Sequence, residues 1–382
     1  MDPVFNEIRK WRSTKKFLRS RFYQQIAPKL EPLLNECELG HFAPPCESVS
    51  PKETFRAVAW NIERGLAFDG VAEILSKHPE ISTADIFFCP ETDLGMARTQ
   101  NRNVARELAL RLNLNYAFVP SYLNLDKGNA AEISVAGENT LGLHGNAIFS
   151  RWPLKNPRAI RLKNCKDKLR GREKRLGSQQ AVVVDMELPG GNLRAVCIHL
   201  DAHSSQRQRY RQMRHIVRSL EREAFHGPTL IGGDWNTFTH YASHGFFAFF
   251  SFWRRVLMGP KYVCRHHYLF PERYFERRLF RYLERNNFNY KNFNALGVPT
   301  IRYELGNERV NKSMRDWTPK FMQVFADWAL KKAEGLAQFK VDWFAAQNLK
   351  PLTGSPKVIG DLRHLGQPAS DHDAICVDFK MV

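Results

Sequence analysis

The sequence predicts an α/β fold in which β-sheets lie inside and helices cover them, with a helical insertion rich in basic and aromatic residues. From residue 55 onwards, short apolar segments of strand length recur, and helical segments are interspersed among them. The chain has 382 residues, of which 43% are hydrophobic, so a sizeable core can form. This length is enough for one large domain or two smaller ones.

The predicted strands are apolar runs that end in glycine or polar residues. In chain order they are FRAVAWNI, ADIFFCPE, YAFVPSYL, HGNAIFS, QQAVVVDMEL, NLRAVCIHL, PTLIGGDWN, FKVDWFAAQNL and DAICVDF. The predicted helices have apolar residues at helical spacing with charged residues between them. They are FDGVAEILSKH, NVARELALRLNL and QRQRYRQMRHIVRSLEREA. Strands interspersed with helices indicate an α/β sandwich.

Three segments differ from this pattern. Residues 5–34 predict a basic amphipathic helix that either packs on its own domain or lies on a membrane surface. Residues 40–54 are rich in Pro and Ser, so we expect residues 1–54 to form a helix and a linker and residues 55–382 the main domain. Residues 238–290, dense in Phe, Tyr, Arg and His, predict a largely helical insertion. Such an insertion suits base stacking on single-stranded nucleic acid, contact with lipid headgroups, or a satellite core.

The chain is strongly basic, with a net charge of +18 and a pI of about 9.7. This charge favours polyanionic partners: nucleic acid, an anionic phospholipid surface or phosphorylated small molecules. Charge alone does not choose among them. The aromatic run GFFAFFSFW at 245–253 is too short to span a bilayer, which needs about 20 apolar residues. The sequence therefore predicts no transmembrane segment, and peripheral membrane contact stays open as an alternative.

The cysteine pattern indicates reduced thiols. Seven cysteines are present, an odd number, and no CxxC pair occurs. Several lie in strand-like runs such as AVCIHL and AICVDF, so we expect core thiols and no zinc site. The N-terminal residues carry charges throughout and lack the apolar stretch of a secretory signal. These features favour a cytoplasmic location, whereas nothing in the sequence predicts an oligomeric state.

Polar residues with catalytic chemistry lie at the ends of most predicted strands. They are Asn61, Glu91, His199, Asp234, Asn236, Asp342, Asp371 and His372. One such residue alone is more often a cap or turn residue, but the set suits hydrolysis of a phosphate ester. Carboxylate and amide oxygens suit Mg²⁺ or Mn²⁺, and a histidine held by an aspartate can act as acid or base near neutral pH. The sequence has no GxxxxGK[ST], GxSxG or HExxH motif, so nucleoside-triphosphate, serine-hydrolase and zinc-protease functions lack support.

Seven short motifs carry a resemblance to a known family. In chain order they are WNIERG, PET, GLHGNAIFSR, CIHLDAH, GGDWNT, KVDWF and SDHDAI. Together they resemble the endonuclease/exonuclease/phosphatase superfamily of metal-dependent hydrolases, over about residues 55–238 and 290–380. The resemblance implies a four-layered α/β sandwich with two packed mixed sheets and a site at one edge of the sheets. It also implies a Mg²⁺ or Mn²⁺ cofactor, with Glu91 as the main metal ligand, Asn61 beside it and Asp371 assisting.

The same resemblance implies catalytic roles for five residues. Asp234 would align or deprotonate the attacking water, and Asn236 would fix that water and the phosphate. His372 would contact the phosphoryl oxygens, oriented by Asp342, and His199 would be a second imidazole facing the phosphate. Which histidine acts as acid or base is left open. The glycines of GGDWNT would let this strand end approach the phosphate.

The resemblance also has departures and leaves the substrate open. Pro90 precedes Glu91 where the family usually has Gln, and His199 points away from the abasic-endonuclease branch. Arg98, His144 and Asn146 are expected to line the substrate site. We expect a phosphoesterase acting on a phosphodiester in nucleic acid or in a phospholipid headgroup. The alternatives are a phosphomonoesterase of a small metabolite, or a catalytically inactive scaffold that binds nucleic acid or a membrane.

Overall fold

Two β-sheets lie face to face, and helices cover the outer face of each. The computed structural model describes residues 3–45, 52–171, 173–237, 245–304 and 320–382. The order of layers is helix, sheet, sheet, helix, which confirms the four-layered α/β sandwich. Within the described residues, no helix has the length and apolar character needed to cross a membrane.

The larger sheet is mixed. In spatial order its strands are β1 (Glu38–Gly40), β4 (Asn115–Asn124), β5 (Leu143–Ser150), β3 (Ile86–Leu94), β2 (Phe55–Ala59), β18 (Ala374–Met381) and β14 (Leu349–Pro351). Two short strands extend it, β7 (Arg175–Gly177) beside β4 and β15 (Lys357–Ile359) beside β18. β2 and β3 are parallel and the other pairs are antiparallel.

The smaller sheet positions half of the site. Its strands, in spatial order, are β13 (Asp342–Gln347), β10 (Thr229–Asp234), β9 (Gly191–His199), β8 (Gln180–Leu188) and β6 (Leu154–Arg161). β9 and β10 are parallel, so both end at the same edge, where Asp234 pairs with His199. β13 is antiparallel to β10 and begins at this edge, with Asp342 opposite Asp234. Two hairpins lie outside the sheets, β11 (Ile301–Glu304) with β12 (Leu336–Phe339) and β16 (Arg363–His364) with β17 (Gln367–Pro368).

The sheets are joined by a buried apolar core. It includes Phe88, Ile148, Val184 and Phe344, each fully excluded from solvent. The rings of Phe88 and Phe344 meet edge to face, with centroids 5.8 Å apart. This contact joins strands of opposite sheets a few residues from the site, so core packing sets the distance between the two halves of the site.

Helices cover both outer faces. On the larger sheet lie α1 (Pro3–Arg9), α2 (Thr14–Phe17), α3 (Arg21–Asn35), α4 (Phe68–Lys77) and α5 (Val104–Leu112). On the smaller sheet lie α6 (Gln206–Glu221) and α9 (Arg277–Arg285). The remaining helices are α7 (Gly245–Met258), α8 (Pro260–Tyr262) and α10 (Lys320–Lys332), with α8 near the β11–β12 hairpin and α10 beside it.

The N-terminal segment packs on the main fold. Instead of one helix over residues 5–34, it forms three helices, because Ser13 and Ser20 cap new helix starts by accepting bonds from the amides of Lys16 and Tyr23. Ile8 and Phe17 of this segment are fully buried in the core beneath the larger sheet, and β1 joins that sheet. The division at residue 54 stays a prediction, and residues 46–51 of the expected linker lie outside the described residues.

The predicted insertion is largely helical where the structure describes it, with turns over residues 268–276. Residues 238–244 lie outside the described residues, and α7, α8 and α9 follow. The buried Arg209 of α6 donates through Nε and Nη2 to Oε1 of Glu276, which precedes α9, at 2.8 and 2.6 Å. Because both side chains are inaccessible to solvent, this pair fixes α9 beside α6 on the smaller sheet.

Candidate active site

Asp234, the last residue of β10, lies at the centre of a cluster of polar side chains. Its Oδ2 atom accepts hydrogen bonds from the side-chain amides of Asn61 (3.3 Å) and Asn236 (3.2 Å). The Nε2 atoms of His199 and His372 lie 3.5 and 3.8 Å from the same oxygen. All five side chains are buried. Since Asn61 and His372 belong to the larger sheet and the others to the smaller one, packing of the two sheets builds the cluster.

The glycines before Asp234 let protein groups approach each other. A β-carbon on Gly232 would lie 2.7 Å from the ring of Phe344. On Gly233, which has a φ of +127°, it would lie 2.2 Å from the carbonyl oxygen of Ile198. Close packing of β10 against β9 and the core therefore requires both glycines, and the expectation that they also let the strand end approach a phosphate stays a prediction.

His372 is held by Asp342. Its Nδ1 donates to Oδ2 of Asp342 at 2.9 Å, and the amide of Asp342 donates to Oγ1 of Thr300 at 3.2 Å. The indole of Trp60 donates to the carbonyl oxygen of His372 at 3.0 Å. Burial alone would lower the pKa of His372, but the Asp342 carboxylate, together with the charges of Asp371 and Asp234, outweighs burial and raises the pKa well above its ordinary value. The raised pKa favours the protonated ring, whose Nε2 faces the Asp234 carboxylate.

The Asp234 carboxyl has a raised pKa. Burial, the largest cause, and the charge of Asp342 raise the pKa to about 6 against the opposing charges of His372 and His199. A carboxyl group of this pKa gains and loses a proton near neutral pH, as general-base catalysis requires.

The Nε2 atom of His199 lies 3.8 Å from Oε1 of Glu91, and its Nδ1 is buried with no partner among the described residues. His199 thus links the Asp234 cluster to Glu91.

Two of the predicted metal ligands, Glu91 and Asp371, lie close enough for their charges to interact. Burial raises the pKa of Asp371, and the negative charge of Glu91 also raises it, against the charges of His372 and Arg64. Glu91 keeps its charge: burial alone would raise its pKa, but Arg64 and the nearby histidines hold it well below the usual range. Two carboxylates that repel each other, with the amide of Asn61 near by, fit a hard divalent cation, which would relieve the repulsion.

A second group of potential metal ligands adjoins the first. Among the described residues, ligand atoms of Asp234, Asp342 and His372 lie within 4.8 Å of one another. The Nδ1 atom of His372 is hydrogen-bonded to Oδ2 of Asp342 and both oxygens of Asp234 accept hydrogen bonds, whereas Oδ1 of Asp342 has no partner among the described residues. A divalent cation bound here would therefore compete with the hydrogen bonds of Asp234 and with a proton on Nε2 of His372.

An irregularity in β3 turns Glu91 towards the site. The pairing of β3 with β5 shifts register between Cys89 and Thr92, and Glu91 has a φ of +54°. Pro90, the departure from the family pattern, lies in this bulge and packs 3.2 Å from where a β-carbon of Gly233 would be. The amide of Glu91 donates to Oδ1 of Asn146 at 3.4 Å. Asn146, predicted to line the substrate site, thus fixes the backbone of the predicted metal ligand.

The other two predicted substrate residues form a buried relay behind Glu91. His144 donates through Nδ1 to Oδ1 of Asp93 at 2.8 Å. Arg98 donates to the same carboxylate through Nε (2.7 Å) and Nη2 (2.9 Å), and only 1% of its side chain is exposed. The structure therefore commits Arg98 to the protein, in place of the expected substrate contact. His144 lies close enough to Glu91 for its charge to help lower the pKa of Glu91, after the larger effects of burial, Arg64 and His199.

Two residues near the site escaped the sequence interpretation. Arg64 lies 3.7 Å from Oε2 of Glu91 through Nε and donates through Nη1 to Glu132 at 2.8 Å. Its place in WNIERG, three residues after Asn61, was the available signal. Tyr303 of β11 has its pKa raised by burial and then by the charges of Asp371 and Asp234, which places the phenol beside them. No local pattern marks Tyr303, because its hairpin reaches the site through long-range pairing.

The chain is similar to several proteins of known structure. Among solved structures, the chain resembles an endonuclease/exonuclease/phosphatase from Beutenbergia cavernae DSM 12333 (14% identity, 86% of this chain and 72% of that one, TM-score 0.48). It also resembles one from Bacteroides vulgatus (15%, 87% and 100%, TM-score 0.47). A third resemblance is to the endonuclease domain of a telomere-specific non-LTR retrotransposon (12%, 86% and 98%, TM-score 0.41). No curated protein sequence matches the chain.

A four-layered sandwich with carboxylate, amide and imidazole groups converging at one sheet edge defines a class of hydrolytic proteins. The model of the Endonuclease/Exonuclease/phosphatase family matches residues 58–281, more than half of the chain. The chain belongs to this family, whose members are generally hydrolases of phosphoester bonds and typically use a divalent metal. The superfamily prediction from the sequence is thereby confirmed.

Proposed function

We propose that the chain is a Mg²⁺- or Mn²⁺-dependent phosphodiesterase in which Asp234 activates the attacking water. The convergence of four groups on the Asp234 carboxylate supports this most directly. Two amides hold the carboxylate and two imidazoles face it, so an ordered water beside Asp234 would have both a base and an orienting shell. The basic charge of the chain favours a polyanionic diester over a small monoester.

Each residue has a role that follows from its contacts. Asp234 takes the proton of the water, while Asn61 and Asn236 keep its carboxylate oriented. The protonated Nε2 of His372 donates to a phosphoryl oxygen, and Asp342 maintains that proton. When bound, a divalent cation held by Glu91, Asn61 and Asp371 would neutralise charge on the phosphoryl group. His199 faces the phosphate from the Glu91 side, and the data favour neither histidine as the acid for the leaving oxygen.

The proposal predicts metal-dependent hydrolysis that Asp234→Asn removes. The experiment compares bis-p-nitrophenyl phosphate, p-nitrophenyl phosphate, plasmid DNA, RNA and sphingomyelin liposomes, with EDTA and with added Mg²⁺ or Mn²⁺. We expect diester cleavage that EDTA abolishes and either metal restores. Asp234→Asn removes a base but little volume, so turnover should fall by about 10²–10⁴ with folding intact.

The matched control is Asp69→Asn, which removes a carboxylate from an exposed ion pair with Arg111 and should change turnover little. Turnover of the Asp234 variant within a few-fold of the unmodified chain would reject the role of Asp234. Cleavage of the monoester alone would favour a phosphomonoesterase. Failure to cleave any substrate in either metal would favour the inactive scaffold.

A further inference from the structure

Two helices on the outer face of the smaller sheet share a surface of arginine side chains. On α6 these residues recur at helical spacing along one face, and on α9 they occupy most exposed positions. The arginine surface consists of Arg207, Arg211, Arg214, Arg218, Arg277, Arg278, Arg281 and Arg285. Arg214 is half-buried and the other seven are exposed. This is a continuous cationic face on an otherwise ordinary pair of amphipathic helices.

The arginine surface lacks acidic partners. In the part of the chain that the structure describes, none of its guanidinium groups lies within 4.0 Å of a carboxylate. Elsewhere in the molecule arginines are paired: Arg194 bonds Asp185 at 2.8 Å, and the buried Arg209 bonds Glu276 at 2.6 Å. The acid on the exposed face of α9, Glu284, is engaged by Lys291 at 2.7 Å. Glu221 at the end of α6 and Arg218 both lie close enough to Tyr282 to shift its pKa, so Glu221 offsets part of the charge at that end. The remaining positive charge of the surface is left for an external anion.

Aromatic rings hold part of this surface in place. The rings of Tyr210 and Tyr282 meet edge to face across the seam between α6 and α9, with centroids 5.7 Å apart. The guanidinium of Arg278 lies 4.3 Å from the Tyr210 ring centroid, and that of Arg214 lies 5.7 Å from it. Stacking fixes a guanidinium plane while leaving its N–H groups available. The surface is thus ordered before any ligand binds.

The arginine surface begins near the catalytic edge. α6 follows β9, which ends there at His199, and the pair of Arg209 with Glu276 places the start of α9 beside the start of α6. Beyond α9, Asn289 pairs with Ala346 towards the opposite end of β13. Both helices therefore run away from the catalytic edge. A helix of 16 residues such as α6 is roughly 24 Å long, the span of about seven phosphates of one strand.

We infer that the arginine surface binds the phosphate backbone of a nucleic-acid strand whose scissile phosphate occupies the catalytic edge. The inference rests on the proposed phosphodiesterase function and names its substrate class. Arginine matches phosphate with two parallel hydrogen bonds, and a row of arginines fits a repeating anion. A helix that inserts into a bilayer needs exposed apolar side chains. No exposed large hydrophobic residue of the described chain lies on α6 or α9, so nucleic acid fits this face better than lipid.

The test measures binding of a fluorescent 30-nucleotide DNA strand, as single strand and as duplex, across a range of KCl concentrations. Asp234→Asn serves as the background so that the DNA is not cut. The surface variant adds Arg207→Gln, Arg211→Gln, Arg281→Gln and Arg285→Gln. If each arginine contacts one phosphate, the plot of log affinity against log salt should flatten by roughly 3, and affinity at low salt should fall on the order of 100-fold.

A control variant removes the same charge elsewhere. It carries Arg19→Gln, Arg21→Gln, Lys29→Gln and Arg106→Gln, all exposed; Arg19 lies in the turn before α3 and the other three lie on helices of the larger sheet. This variant should bind DNA with nearly the salt slope of the background protein. Circular dichroism and thermal melting of both variants confirm folding before binding is measured.

Two results would overturn the inference. Equal loss in both variants would mean that net charge, not this surface, binds DNA. DNA binding that the surface variant retains, with loss of binding to anionic phosphatidylserine vesicles, would assign the surface to a membrane. Hydrolysis of bis-p-nitrophenyl phosphate by the unmodified chain tests the proposed function separately. DNA binding that depends on the arginine surface, without any hydrolysis, would reject the proposed phosphodiesterase function and support the binding surface. Hydrolysis together with DNA binding that does not depend on the arginine surface would support the function and reject the binding surface.

Discussion

Two histidine–aspartate pairs in the molecule show how a neighbouring arginine changes the role of the same contact. His372 donates to Asp342 at 2.9 Å, and His144 donates to Asp93 at 2.8 Å. Both aspartates are completely buried. Arg98 donates two further hydrogen bonds to Asp93, whereas the second oxygen of Asp342 is buried with no partner among the described residues.

The difference lies in where the balancing charge sits. At Asp93 the guanidinium of Arg98 balances the carboxylate through two hydrogen bonds. At Asp342 the imidazole is the only side chain of the described chain that bonds the carboxylate, so a proton on His372 balances it and the pKa of His372 rises. The first pair is an anchor behind Glu91, and the second is an imidazole of raised pKa that faces the Asp234 carboxylate.

The largest expected effect is on turnover in Asp342→Asn. Without the carboxylate, His372 loses both its fixed tautomer and its raised pKa, so kcat for bis-p-nitrophenyl phosphate should fall by roughly 10³–10⁴. Steady-state kinetics measure kcat, and Asp93→Asn is the comparison. In that variant, kcat per folded molecule should fall less than about tenfold. Similar losses in the two variants would show that both pairs serve chemistry alike.

The next effect is on the free energy of unfolding. Here Asp93→Asn should be affected more than Asp342→Asn. Asp93→Asn leaves the buried guanidinium of Arg98 without its main counter-charge, which should cost about 3–5 kcal/mol of unfolding free energy. Urea unfolding measures the cost. Adding Arg98→Met to Asp93→Asn should recover part of it, because the unpaired charge is then gone. A cost below about 1 kcal/mol for Asp93→Asn would contradict the anchor role.

The smallest effect is a shift of thermal stability with pH, of opposite sign for the two pairs. Arg98 and His144 outweigh burial and lower the pKa of Asp93 to about 2, so its contribution is complete above pH 3.8 and is lost as pH falls through about 2. His372 has a raised pKa, so its contribution is complete below pH 6.5 and is lost as pH rises through the raised value. Losing either contribution should lower the melting temperature by a few degrees, at roughly 2–4 °C per kcal/mol of unfolding free energy.

The pH experiment compares the unmodified chain with Asp93→Asn and His372→Gln from pH 3 to pH 10. The difference in melting temperature between the unmodified chain and Asp93→Asn should narrow only at the acid end of the range. The difference between the unmodified chain and His372→Gln should narrow only at the alkaline end. If both gaps narrowed at the same end, the assignment of charge in the two pairs would be incorrect.

Much of the fold was predictable, because the strands that form the two sheets are apolar runs with clear ends. FRAVAWNI and PTLIGGDWN contain β2 and β10 within one or two residues of their observed starts. The N-terminal helix was wrong as a single element, since Ser13 and Ser20 offer caps that compete with helix continuation. Short strands such as β1 were missed because three residues carry too little periodicity.

The site was predictable only where a residue follows a strong strand. Asp234 and His372 fall in motifs, and the structure brings them within 3.8 Å. Arg64 and Tyr303 depend on contacts between distant segments, which local pattern does not encode. Arg98 shows a different difficulty. Because it is charged and lies near a motif, the sequence suggested a substrate contact, whereas in the structure it is paired with Asp93.

The pairing of β2 with β18 has a consequence for biosynthesis. Trp60 and His372, which share a hydrogen bond at the site, are separated by 312 residues. At 5–20 residues per second, a ribosome needs roughly 15–60 s to add the second after the first. During that interval the edge of β2 that awaits β18 stays unpaired. The polar cluster around Asp234 is therefore completed only after residue 372 has been made, and a chain that stops short of it lacks both His372 and the strand that pairs with β2.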